Sequence, residues 1–304
     1  MSKNESVLAP MERVKKKKWR PGERAIEGAM LICALVSVAS VILITALIFS
    51  EGLPLFKDVN FWDFISGQKW KPTKDIYGIL PMIITTLETT GIALLIGVPI
   101  GLGCAIFLAE LAPRKLATIV RRGVEILAGI PSVIFGFVGM VLLVPFIREN
   151  IGGRGLSILA AGIILAIMIL PTIISISEVS LRSVPGSLRD GSLAMGASKW
   201  QTIRKVSLPT AKSGIVTSVV LGIGRAVGET MAVKLVIGST PAMPESILDS
   251  ARTLTVNIIL EMGYVVTGST HYSALFATGI ILFIFIMILN GIVTILSRKR
   301  VKSL

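Results

Sequence analysis

Six apolar runs dominate this 304-residue chain, each long enough to cross the roughly 30 Å hydrocarbon layer of a bilayer. They lie at 29–49, 83–108, 128–147, 159–176, 215–237 and 274–296. Helices buried in a water-soluble fold rarely stay apolar for about 20 residues. A composition of 53% hydrophobic and 16% charged residues likewise exceeds what one aqueous core needs. The runs therefore predict an all-α membrane protein with six transmembrane helices. Inside them the charged residues are Glu88, Arg225, Glu229 and Lys234.

Basic residues set the orientation. Twenty-two Lys and Arg fall in the N-terminal segment, the second-to-third and fourth-to-fifth connections, and the C-terminus, against seven in the three other connections. Cytoplasmic loops carry the excess of Lys and Arg, so both termini are placed in the cytoplasm, as six crossings require. The chain then reads as a basic cytoplasmic tail (1–24), a membrane domain (25–298) and a short cytoplasmic tail (299–304). The net charge of +13 is a topology signal. Four lysines at 15–18 lack the aromatic or shaped context of a nucleic-acid site and suit a juxtamembrane patch facing anionic lipid. The first run is too long for a secretory signal and lacks its small-residue cleavage pattern, which predicts an uncleaved anchor. Cys33 and Cys104 both lie in apolar runs, with no metal-ligand spacing, and His271 reads as an ordinary loop residue.

Several runs carry helix-modifying residues: Gly97-Val-Pro99-Ile-Gly101 in the second, Gly129-Ile130-Pro131-Ser132 in the third, Pro171 in the fourth. Small residues let membrane helices approach closely, so these sites predict a packed bundle. Between the fourth and fifth runs lies a polar cytoplasmic segment, about 186–209. It contains Asp190-Gly191-Ser192, then Gly196, then Val206-Ser207-Leu208-Pro209. Gly196 permits a turn between two short helices, and Pro209 is expected to end the second before the next crossing.

The fifth run concentrates the chemistry. Arg225 and Glu229 are four residues apart, which on a continuous helix puts them on one face. Arg225 would lie about 15 Å along the axis, near mid-bilayer, where a charge must face protein or water. Two readings follow: an internal ion pair that locks the bundle, or a guanidinium fork for an oxyanion, with Glu229 orienting it or exchanging with the anion. Lys234, on the other side of that helix, is expected to snorkel to the interface. Glu88 could partner Arg225, line an aqueous path, or be a protonated buried carboxyl. No Gly-x-x-x-x-Gly-Lys-Ser/Thr loop is present to cradle nucleotide phosphates. There is no His/Glu metal cluster, nor a His beside a Gly-x-Ser-x-Gly elbow, so the chain reads as no enzyme.

The spacing from Asp190-Gly191-Ser192 through Gly196 to Leu208-Pro209 resembles the loop by which ATP-binding-cassette importer permeases dock their ATPase. That family begins the loop with acid-Ala-Ala, where this chain has Asp-Gly-Ser. Further segments resemble phosphate-importer permeases of the PstC type. They are Trp70-Lys71-Pro72, Tyr77-Gly-Ile-Leu-Pro81, Leu127-Ala-Gly-Ile-Pro-Ser132, Leu170-Pro-Thr-Ile-Ile-Ser-Ile-Ser-Glu178, Gly224-Arg-Ala-Val-Gly-Glu-Thr-Met-Ala-Val233 and His271-Tyr-Ser-Ala-Leu-Phe-Ala277. Sulfate and molybdate permeases share the Arg-Ala-x-Gly-Glu core but typically continue with Phe-Gly. The resemblance implies the six-helix type I importer permease (MetI-like) fold in a prokaryotic plasma membrane. It also implies ATPase coupling through Asp190, Gly191, Ser192, Gly196, Leu208 and Pro209, and a phosphate path past Arg225, Glu229 and Glu88. The implied partners are a second permease of PstA type, two ATPases of PstB type holding ATP and Mg, and an extracytoplasmic binding protein of PstS type. This chain itself would bind no cofactor. The alternatives are a permease for sulfate, molybdate or tungstate, and a membrane scaffold or sensor that moves nothing.

Overall fold

The computed structural model describes residues 21–299. The chain divides into two units, 1–47 and 48–304. The first helix, α1 (Pro21–Gly52), fills the described part of the first unit and runs on into the second. It is apolar on every side, the signature of a lipid-facing span. Three of its hydroxyls are satisfied locally: Ser37, Ser40 and Thr45 donate to the carbonyls of Cys33, Val36 and Val41.

The second unit opens with an extracytoplasmic module. A 3-10 turn (Leu53–Lys57) leads to α2 (Phe61–Ser66), whose first turn is capped by Asn60 accepting from Trp62 N–H. A two-stranded antiparallel hairpin follows, β1 (Trp70–Lys71) and β2 (Ile76–Tyr77), pairing Trp70 with Tyr77 and Lys71 with Ile76. Phe64, Trp70, Tyr77, Ile79 and Met82 are buried together with Leu254 and Leu275 from far along the chain.

Next come α3 (Leu80–Ile106), extended by a π turn (Phe107–Leu111), then α4 (Arg114–Gly129), a strongly amphipathic helix. The third crossing is assembled from α5 (Ser132–Val138), a second π turn (Gly139–Leu143) and α6 (Val144–Asn150). The apolar run had placed its start at 128, but the chain is broken at Ile130, which is extended (φ −70°, ψ 127°). The ring of Pro131 disfavours helix for the residue before it, which explains the break.

The fourth crossing is α7 (Ile158–Arg182), the centre of the bundle, with most of its length buried. It packs on α3 through small residues. A Cβ on Gly97 would stand 2.8 Å from Ile169 Cδ1, one on Gly101 2.8 Å from Ile173 Cγ2, and one on Gly162 2.5 Å from Ile92 Cγ2. Backbones this close gain dispersion contacts that substitute for a hydrophobic drive absent in lipid. The packing predicted from Gly97 and Gly101 is thus present.

After α7 come three short cytoplasmic helices, α8 (Gly186–Ala194), α9 (Lys199–Thr202) and α10 (Leu208–Thr210), with a third π turn (Ile203–Ser207) between the last two. The axis then bends by 69° into α11 (Lys212–Gly228). Ser177 and Ser218 share a buried hydroxyl contact of 2.8 Å that ties α7 to α11. The fifth run is not one helix: α11 stops at Gly228 and α12 (Met231–Ile237) restarts beyond it. The outer connection contains α13 (Leu254–Glu261), and α14 (Thr270–Lys299) is the last crossing. Among the described residues five helices are long and apolar enough to span a bilayer, and the bent pair at Ala211, taken as one span, makes six. The architecture is therefore the expected all-α membrane bundle, with the third and fifth crossings interrupted.

Candidate functional site

The break in the fifth crossing changes the geometry expected of Arg225 and Glu229. Glu229 is extended (φ −70°, ψ 127°), so it leaves the helical face that carries Arg225. Its Oε1 instead accepts from Ala232 N–H (3.2 Å) and caps the restarted α12, a placement favoured by the helix dipole. Its backbone oxygen accepts from Thr255 Oγ1 (3.2 Å). Arg225 occupies the last turn of α11 and is half-buried. Among the described residues it has no ion-pair or hydrogen-bond partner. The internal ion pair with Glu229 is thus not formed. The C-terminal dipole of α11 offers the cation modest support while leaving the fork free.

Glu88 is half-buried on α3, and it does not partner Arg225 either; its Oε2 is buried without a hydrogen bond. It stands in a threonine-rich stretch, with Thr86 accepting from Leu254 N–H at the start of α13 (3.1 Å). Thus α13, read from sequence as part of an outer connection, turns back to meet α3 and the break together. A cavity of about 430 Å³ opens there, lined by Gly228, Thr230, Thr255, Ile258 and Met262 among others. Thr255 had no distinguishing mark in the sequence. The only signal was a short apolar stretch behind a Ser/Thr-type cap, here Thr253 accepting from Val256 N–H.

On the outer side, His271 is not the plain loop residue its isolation in sequence suggested. Its Nε2 lies 2.7 Å from Glu261 Oε2, which also accepts from Trp70 Nε1 (2.8 Å). Arg252 Nη1 donates to the other oxygen of Glu261 (2.7 Å) and to Asn257 Oδ1 (2.9 Å). The His271 ring stacks on Tyr77, which meets Trp70 edge-on. Burial first, then the hydrogen bond to Asp75 and the charges of Asp75 and Glu261, push the Tyr77 phenol up to about 12.

On the cytoplasmic side, the polar segment forms a compact helical hairpin. Gly196 takes φ 81° in the turn between α8 and α9, a conformation open to glycine at no steric cost. The hairpin is closed by Ser192 Oγ and Thr202 Oγ1 at 2.9 Å, and α9 begins with a capping box of Ser198 and Gln201. Asp190 and Gly191 are exposed, Ser192 is half-buried, and Leu208 packs against Leu181, Val184 and Ala211. Pro209 does not end the second helix as expected. It lies within a helical stretch running to Thr210, behind the wider π turn that relieves the clash of its ring with the preceding turn. The outer face of the hairpin presents Leu193, Met195 and Trp200, with Met195 89% exposed.

The bundle thus combines a polar break in its fifth crossing with a helical hairpin between the fourth and fifth crossings. Residues 97–302 match the family of binding-protein-dependent transport system inner membrane components, and the chain belongs to that family. It is 39% identical over 282 residues to a probable ABC transporter permease protein, YqgH, of Bacillus subtilis, covering 90% of this chain and 91% of the relative. It is 34% identical over 293 residues to the phosphate transport system permease protein PstC of Haemophilus influenzae, covering 89% and 91%. Among solved structures, a bacterial ABC transporter importing the acidic polysaccharide alginate superposes with TM-score 0.62 at 17% identity, over 91% of this chain and 98% of that one. The inward-facing MetNI methionine ABC transporter superposes with TM-score 0.55 at 24% identity, over 73% and 94%. The fold is that of ABC importer permeases. The chain is a multi-pass inner-membrane component of such a transporter.

Proposed function

We propose that the chain carries inorganic phosphate, forming half of an import pathway whose other half is a second permease of PstA type. The observation that supports this most is the guanidinium of Arg225, unpaired among the described residues, at the end of α11 beside the break in the fifth crossing. A planar fork that stays charged at any accessible pH suits a tetrahedral oxyanion, and Glu229 does not neutralise it because it caps α12. The hydroxyl-bearing cavity of Thr230 and Thr255 lies against the same break. Relatives named as phosphate permeases favour phosphate over other oxyanions.

In this reading two ATPase subunits of PstB type, holding ATP and Mg, seat on the exposed Leu193, Met195 and Trp200 of the hairpin, with Asp190 and Gly191 beside them. A binding protein of PstS type delivers phosphate to the outer module. Closure of the ATPase pair moves the hairpin, the bundle opens outward, and hydrolysis returns it inward. Arg225 lines the path, Glu229 holds the restarted helix in place, and Glu88 contributes a polar wall.

The test is ATP-driven uptake into vesicles holding the four-component complex, with labelled phosphate and competing anions. Phosphate uptake resistant to excess sulfate and molybdate is expected. Uptake of sulfate or molybdate in preference to phosphate would assign another oxyanion, and anion-stimulated hydrolysis without uptake of any anion would leave only a scaffold.

A further inference from the structure

We infer that Arg189 is the positioning residue that hands movement of the cytoplasmic hairpin to the inner ends of α3 and α7. The inference rests on the reading that the hairpin seats an ATPase. The hairpin is a firm body, because the Ser192–Thr202 contact closes it and the capping box fixes the start of α9. The inner ends of α3, α4 and α7 are a second firm body. Buried Glu178 on α7 pairs with Arg121 of α4 and with Arg182, whose Nη2 reaches back to the carbonyl of Leu108 in the π turn that ends α3 (2.9 Å).

The chain enters and leaves the hairpin through broken joints. One is Ser183–Pro185, where α7 stops. The other is Ala211, where the axis bends by 69°. Leu208 rests on an apolar cluster with Leu181 and Val184, a contact without direction that permits pivoting. Arg189 supplies direction. From α8 its Nη2 donates to Leu181 O at the end of α7 (2.6 Å) and lies 2.9 Å from Glu110 Oε1, with Nε 3.1 Å from the same oxygen. Nε also approaches Ser207 Oγ at 3.5 Å, across the hairpin base. Lys199, Arg204 and Lys205, the other cations of the hairpin, are exposed, whereas the Arg189 and Glu110 side chains retain 23% and 9% exposure. One fork therefore grips the end of α3 and the end of α7 at once, a geometry a lysine does not reproduce.

The test uses the full transporter in lipid nanodiscs or vesicles, comparing R189A, R189K, E110A and the double variant R189A/E110A. Co-purification of the ATPase and its basal hydrolysis are expected to stay within about twofold of wild type. Anion imported per ATP hydrolysed is expected to fall about tenfold or more in R189A and E110A, to fall less in R189K, and to fall no further in the double variant, because the two side chains act as one link. An unchanged import-to-hydrolysis ratio in R189A, or losses that multiply in the double variant, would overturn the inference. Should R189A fail to accumulate, R189K and E110Q carry the same comparison. Failure of the docking reading is separately visible, as an ATPase that does not co-purify with the wild-type chain.

Discussion

Replacing Arg225 by alanine separates the two uses a half-buried guanidinium can have. If Arg225 pairs with Glu229, its loss strands a carboxylate and lowers stability. The geometry instead leaves Arg225 without a partner among the described residues, with Glu229 bound to the start of α12. An uncompensated charge near mid-membrane costs about 2.5–3.5 kcal/mol on insertion scales, so R225A is expected to insert and melt at least as well as wild type. Transport moves the other way. A hydrogen bond to a charged group is worth about 1.5–3 kcal/mol, and 1.4 kcal/mol is tenfold, so kcat/KM for phosphate uptake should fall roughly 10- to 150-fold. R225K, which keeps the charge and loses the fork, should fall between. The assay is initial uptake into vesicles at matched protein density, alongside thermal unfolding in detergent. Combining R225A with E229A, which removes the acceptor that caps α12, should multiply the separate losses, since the two side chains do not touch. Undiminished uptake in R225A, or a double variant no worse than R225A when E229A alone reduces uptake, would refute the reasoning.

Two other outcomes follow from the packing and the outer module. Gly162→Ala drives a methyl to 2.5 Å from Ile92 Cγ2, an overpacking worth about 1–3 kcal/mol. Adding I92A, which alone leaves a cavity, should recover at least about 1 kcal/mol relative to the sum of the single effects in a melting or denaturant series; strict additivity would contradict the α3–α7 contact. The Tyr77 phenol, pushed up to about 12 against 10.0 for a free one, holds its proton more tightly in the folded than in the unfolded chain. Its contribution to stability is therefore full below pH 10 and lost as pH rises to 12. A phenolate absorbance titration should show a late step that disappears in Y77F, and a Tyr77 step at 10 would contradict the burial described.

The membrane class and the helical hairpin were legible because each rests on local composition: long apolar runs, and a glycine where a turn needs one. The interruptions were not. Pro131 stood in plain view, yet an apolar run scores through a break without a dip, and Gly228-Glu229-Thr230 contains no proline to mark one. Helical spacing then put Glu229 beside Arg225, although the spacing argument holds only while the helix continues. Thr255 and His271 were invisible for a different reason. Their partners, the Glu229 carbonyl, Glu261 and Tyr77, are supplied by tertiary contacts that no spacing rule reaches.

The bond from Trp70 Nε1 to Glu261 joins positions 191 residues apart. Four further crossings separate the first of these from the second, so during synthesis the hairpin of Trp70 and Tyr77 reaches the outer face long before Glu261 and His271 arrive. Until then the indole N–H has no carboxylate and the phenol no imidazole above it. A nascent chain that inserts the third to fifth crossings upside down, or omits one, leaves that module open and its aromatic residues accessible. The outer cluster can therefore close only after the second to fifth crossings have brought Glu261 and His271 to the same face as Trp70 and Tyr77.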